Sequence, residues 1–230
     1  MQTYTHFVMT AVLNRVTKTR EERLATQEVQ AAQAQSKLPP VNSFWLMVGS
    51  VMPDVPLILI TIVSITLDLL SGNRLEPGNE AAELQSYTGY LFRYAFFHEP
   101  WVKLAHNLFH APLLILLYIF IGYRLWQQGK RRTAMGAALF WFGIACGLHT
   151  LIDIPLHYND GPLIFFPFDW QTRFYSPVSY WDPNRYGRPF AIFEHLLLLG
   201  MLLFLLVDWW RRRRSRRATA TAQPSSGERR

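Results

Sequence analysis

The stretch AMGAALFWFGIACGLHTLIDIPL, residues 134–156, decides the fold. Its first fifteen positions carry no charge and no strongly polar side chain, and a spanning helix needs about 20 predominantly apolar residues. A soluble helix would interrupt such a run with a polar face every second turn. Residues 44–70, 105–126 and 190–210 repeat the pattern. The expectation is an all-α integral membrane bundle of about four transmembrane helices. It forms a single membrane-embedded domain over residues 1–210, followed by a basic, disordered tail over 211–230. Composition agrees: half of the 230 residues are hydrophobic and charged residues fall to 17%, below the roughly 25% of ordinary soluble domains.

The net charge of +7 suggests nucleic acid until it is mapped along the chain. Eight of the 23 Lys and Arg lie from Arg211 onward, four between Arg124 and Arg132, and five before the first span. These 17 fall on one side of a four-span bundle, which is the positive-inside pattern of an inner-membrane protein with both termini cytoplasmic. Arginines 211–217 then face anionic lipid, and no aromatic residues interleave them as a nucleic-acid stacking surface would require. The bilayer is the expected partner and nucleic acid is not.

Before the first span, residues 8–36 read as a polar, weakly amphipathic helix stopped by Pro39 and Pro40. No secretory signal is expected, because the apolar run 7–13 is short and Asn14, Arg15 and Lys18 follow it. Pro53 and Pro56 predict a kink inside the first span. Residues 72–104 read as an external loop. Residues 157–189 hold ten aromatic side chains among five prolines, which suits an interfacial belt or a lid.

Ionisable side chains at membrane depth are costly and mark function by default. His106 and His110 are four apart at the start of the second span, and His149 and Asp153 are four apart at the end of the third. On a helix that spacing puts both members of each pair on one face. His157 and Asp160 follow at the outer mouth, and Glu194 with His195 opens the fourth span at the same level. Asp54 lies inside the first span. Histidines and carboxylates are ligands for a divalent metal, zinc first among them. Cys146, alone inside the third span, has no disulfide partner. The chain has no phosphate-binding glycine loop, no HExxH helix and no nucleophile elbow.

Several short segments occur in a familiar order: Thr5-His6-Phe7, Gly49 through Pro53-Asp54, His106 through His110, and Gly147-Leu148-His149 through Asp153. Over residues 5–160 the chain resembles the YdjM-like family of membrane-bound metal-dependent hydrolases, which look distantly similar to zinc-dependent phospholipases C. Residues 153–187 look like an uncharacterised bacterial subgroup of membrane proteins. The resemblance implies His6, Asp54, His110, His149 and Asp153 as metal ligands. The second histidine segment departs from the family pattern, with one fewer residue between His106 and His110. With a cytoplasmic N-terminus, His6 begins at the end of the bundle opposite the other histidines.

The reading is a membrane metal-dependent hydrolase in which a metal-activated water attacks a phosphodiester or ester of a lipid or other amphiphile. Asp54, His106, His110, His149, Asp153 and His157, with His6, are the candidate ligands, and Glu194 or Asp160 is the general base. The competing reading is a non-enzymatic multi-pass protein whose His/Asp cluster is structural, a proton or cation path, or a docking site.

Overall fold

Residues 1–28, 38–73, 80–128 and 133–222 are described by the structure, a computed structural model. In chain order the α-helices are α1 (Thr3–Glu28), α2 (Ser43–Val51), α3 (Val55–Ser71), α4 (Glu80–Gln85), α5 (Tyr87–Tyr90), α6 (Phe96–His98), α7 (Pro100–Asn107), α8 (Pro112–Gln127), α9 (Thr133–Asp153) and α10 (Gly187–Ala222). A π-helical turn, Leu91–Ala95, joins α5 to α6. The described residues form no strand, only the isolated bridge between Leu163 and Arg173. The chain is an all-α membrane bundle, as expected.

Two helices are each long and apolar enough to cross a membrane, Thr133–Leu156 and Gly187–Ser215, and two bent helix pairs pass the same test as broken spans. The α2/α3 pair bends by 48° at 52–54, and the α7/α8 pair by 44° at 108–111. Proline explains both. Pro53 has no N–H to continue α2, Pro56 sits in the first turn of α3, and Pro112 opens α8. The first kink follows the sequence expectation. The second changes it, because the second span begins with a separate helix, α7, ahead of residue 105.

Small residues set how closely the helices approach. A methyl group added at Gly122 would lie 2.4 Å from the Phe140 nitrogen, and one at Gly136 would lie 2.3 Å from the Trp126 nitrogen. The α8 and α9 backbones therefore touch, as small-residue crossings in membranes allow. Gly49 does the same for α2, where a Cβ would sit 2.4 Å from the Phe142 carbonyl oxygen. These contacts fix α9, and with it His149 and Asp153, against α2 and α8.

Three expectations are corrected. The 72–104 segment is largely helical over its described part, not a loop. Its anchor is Asp68, whose carboxylate accepts the Tyr87 and Thr88 backbone N–H groups at 2.6 and 2.9 Å and caps α5. The expected tail continues α10 as helix to Ala222, while 223–230 lie outside the described residues. The chain start is also not at the far end of the bundle from the histidines. The α1 helix runs alongside α10 in the same direction: Gln2 bonds Glu194, Tyr4 meets His195, Arg15 pairs with Asp208 and Arg212 donates to Thr19. Met1 thus sits beside the cluster, and the basic part of α1 shares an end with the arginines of α10. The charge asymmetry survives, but it is carried by the middle of α1. The expected helix over 8–36 is present as α1 to Glu28, with 29–37 outside the described residues.

Most of α10 and α3 faces outward. Leu70 is 80% exposed and Leu59, Ile192 and Leu196 are similarly bare, which is the surface a bilayer covers.

The α8/α9 crossing yields a test. Gly136→Leu forces an overpacking that costs about 1–3 kcal/mol, so the thermal midpoint in detergent should fall by at least about 2 °C. Gly200→Leu on α10, where an added Cβ meets nothing within 4 Å, should leave it unchanged. Equal midpoints for both variants would mean that the two helices do not cross at these glycines.

Candidate metal centre

Both broken spans deliver their breaks to one place. Asp54 occupies the N-cap position of α3 but makes no capping bond with its side chain, so its carboxylate is free to turn into the bundle. There Oδ2 accepts the Thr3 hydroxyl at 2.5 Å and Oδ1 lies 3.4 Å from His149 Nε2. His110 sits in the 108–111 break, where the Thr150 hydroxyl holds its carbonyl at 3.1 Å. His149 and Asp153 are one turn apart near the end of α9, the face that α2 and α8 enclose. At 1.5 Å per residue, Asp153 lies about 30 Å along α9 from Thr133, so the group sits at the end of the bundle away from the 124–132 loop.

The tips converge. His6 Nε2 is 2.9 Å from Asp153 Oδ1, and Asp153 Oδ2 is 3.1 Å from His149 Nε2 and 3.5 Å from His110 Nε2. Two sets, His6/His149/Asp153 and Asp54/His110/His149, each bring their ligand atoms within 4.8 Å of one another. Both sets share His149. Its Nδ1 is 2.8 Å from the Ser50 carbonyl oxygen, which can only accept, so Nδ1 carries the proton. In the neutral ring Nε2 then has its lone pair facing inward. With one donor nitrogen common to both sets, the five residues describe one centre rather than two.

The group fits a cation better than a hydrogen-bonded core. His110 Nε2 and His149 Nε2 are buried and make no aligned hydrogen bond, although carboxylate oxygens stand 3.1–3.5 Å away. Ligands on one zinc ion at about 2.0–2.1 Å in tetrahedral array lie roughly 3.4 Å apart. Asp153 Oδ1 accepts the Met1 ammonium at 2.9 Å and lies 2.9 Å from His6 Nε2, but the His110 and His149 nitrogens that face its other oxygen stay orphaned, and a divalent ion between them accounts for that.

The remaining candidates surround this centre. His106 and His110 do not share a helix face, because α7 ends between them, yet their rings stay 4.9 Å apart. Both His106 nitrogens are unpartnered, and the ring rests on Phe96 at 5.0 Å. His157 is set back, with Nε2 3.9 Å from Asp153 Oδ2 and Nδ1 3.2 Å from Asp160 Oδ1. Glu194 is buried, and its Oε1 accepts the Gln2 backbone N–H at 2.8 Å. His195 is exposed beside Tyr4.

Above the centre opens a cavity of about 880 Å³. Asp54, His110 and Asp153 reach it from one side, with His106, His157 and Asp160 beside them. Leu57, Ile58, Ile62, Phe92 and Phe96 form an apolar wall, and Tyr180 and Trp181 from the aromatic segment cover it. The 157–189 segment thus lines a site, the lid alternative. It is pinned there by Asn107, whose Oδ1 accepts the Leu163 N–H at 2.7 Å, and by Leu163 and Phe166 packed on Ala111. Thr3, Ser50 and Tyr180 had no signal in the sequence; their roles come from chain segments far apart in number.

A sequence model of the YdjM inner membrane protein family matches residues 1–221. Comparison with curated proteins and with solved structures found no match.

Elemental analysis of the purified protein checks the centre. Wild-type protein should carry about one divalent ion per chain, and His149→Ala/Asp153→Ala should carry none, since it removes the ligand common to both sets and the carboxylate that faces all three histidines. His6→Ala should weaken binding without abolishing it. Equal metal content in all three proteins would remove the ligand assignment.

Proposed function

The chain belongs to the YdjM inner membrane protein family, and we propose that it is a membrane-bound metal-dependent hydrolase. In this reading His6, Asp54, His110, His149 and Asp153 hold a divalent cation, and the mixed nitrogen and oxygen ligands favour zinc. The observation that carries the proposal is the meeting of orphaned imidazole nitrogens and two carboxylates beside a cavity of about 880 Å³. That volume lies within the range of small-molecule sites.

When bound, the ion supplies Lewis acidity and lowers the pKa of water beside it. The chain's own residues do the rest. Asp160 lines the cavity and acts as general base. Burial pushes its carboxyl up, but the His157 contact and charge and the Trp181 N–H outweigh this and hold it below its usual value, so it is ionised and able to accept a proton. His157 positions it. Glu194 acts away from the cavity, holding Gln2 and so the start of α1 in register. The wall from Leu57 to Phe96 takes the apolar part of an amphiphilic phosphodiester or ester, and Tyr180 and Trp181 restrict water. In this reading the arginines of α10 lie at the cytoplasmic face against anionic lipid, as the charge distribution supports, with the cavity toward the opposite face.

Hydrolysis of detergent-dispersed phosphodiester and ester lipids, with and without chelator, tests the reading. Activity should disappear with chelator and return with zinc. Asp160→Asn should lower kcat by about 10²-fold or more while metal content stays at the wild-type level. Hydrolysis unaffected by chelator would exclude the mechanism. Absence of hydrolysis across these substrates, with a mild effect of Asp153→Asn on stability, would favour the structural reading of the cluster.

A further inference from the structure

Beyond Phe97 and Asn159, which line both, a second cavity of about 310 Å³ adjoins the first. Its character is opposite. The first is edged by Asp54, Asp153 and Asp160, whereas no carboxylate lines the second. Two cations do. Lys103, in α7, is only 7% exposed, and its ammonium donates to the Trp170 carbonyl oxygen at 3.1 Å. Arg173 donates to the Gly161 and Phe96 carbonyl oxygens and stands over the Phe96 ring at 4.8 Å.

Neither cation has an ion-pair partner within 4.0 Å among the described residues. The carboxylates nearby are already engaged: Asp169 accepts Gln171 and Thr172 N–H groups and the Thr172 hydroxyl, while Asp160 faces His157 and Trp181. Two like charges drawn partly out of water beside each other are unfavourable unless an anion sits between them. Burial pushes the Arg173 guanidinium down to about 10, against the pull of Asp160, so it stays charged at neutral pH. At the rim, His98 spends Nδ1 on the Tyr94 carbonyl, and the Gln171 side chain is exposed.

We propose that this second cavity is a phosphate-binding subsite, in which Lys103 and Arg173 together take a phosphate group and His98 and Gln171 close over it. A guanidinium and an ammonium meeting one polyoxygen anion form the charge-assisted hydrogen bonds that phosphate recognition uses. The group can belong to a lipid head group or to a soluble phosphate. The subsite stands on its own residues and does not rest on the hydrolase reading. It is joined to the metal centre through a line of ring contacts, from Arg173 over Phe96 to His106 and His110.

Calorimetric titration of the full chain in detergent, in the presence of chelator, tests this apart from metal and turnover. The probes are inorganic phosphate and nanodiscs of phosphatidic acid, with phosphatidylcholine nanodiscs as the control. Saturable binding of either phosphate probe, weakened about tenfold or more in Lys103→Met, is expected; which probe binds identifies the source. Because Lys103 also ties down Trp170, the exposed position supplies a second arm. Gln171→Glu should weaken binding several-fold and Gln171→Lys should tighten it, with thermal midpoints unchanged. Failure of both probes to bind, or affinities unaltered by Lys103→Met and both Gln171 variants, would overturn the subsite.

Discussion

A carboxylate shut away from water inside a helical bundle needs positive or proton-donating partners, and Asp153 is such a carboxylate, 1% exposed. The architecture follows from that need. The crossing of α9 with α2 and α8 encloses it, the proline breaks bring Asp54 and His110 beside it, and the first turns of α1 bring His6. Straight helices would carry these side chains past one another at different heights. Bent ones let turns, which can aim side chains sideways, sit at the level where α9 presents its polar face.

The parts of this arrangement legible in the sequence were those written in local spacing. His149 and Asp153 are four apart on an unbroken helix, and the geometry holds. Pro53 and Pro56 announced the first break. His106 and His110 were correctly near each other but for a different reason, since spacing alone cannot report that Pro112 starts a new helix and leaves His110 in a turn. Charge counting places the basic ends together, but it takes the residues before the first span as one block. It therefore sends His6 away from the site, although the family resemblance implies it as a ligand. The short helices after residue 80 gave no periodicity long enough to read, and their anchor, the Asp68 carboxylate on two backbone N–H groups, is a contact across 19 and 20 positions.

The aromatic segment shows how one composition serves two ends. Leu163 and Phe166 bury themselves against Ala111, while Tyr180 and Trp181 turn toward the larger cavity and Trp170 toward the smaller. Proline and aromatic residues suit this work because they hold an irregular chain in place through ring packing, without a ladder of backbone hydrogen bonds. The acidic and cationic cavities, sharing Phe97 and Asn159, are separated by side chains from this segment and from α6. Two opposite electrostatic environments thus stand side by side at one end of the bundle.

The contact between Gln2 and Glu194 spans 192 positions, and that between His6 and Asp153 spans 147. During synthesis Gln2 and His6 therefore stay without these partners until α9 and the start of α10 have been made. Assembly of this centre is consequently a late event: the intervening helices must be inserted before the first turns of α1 can close against them.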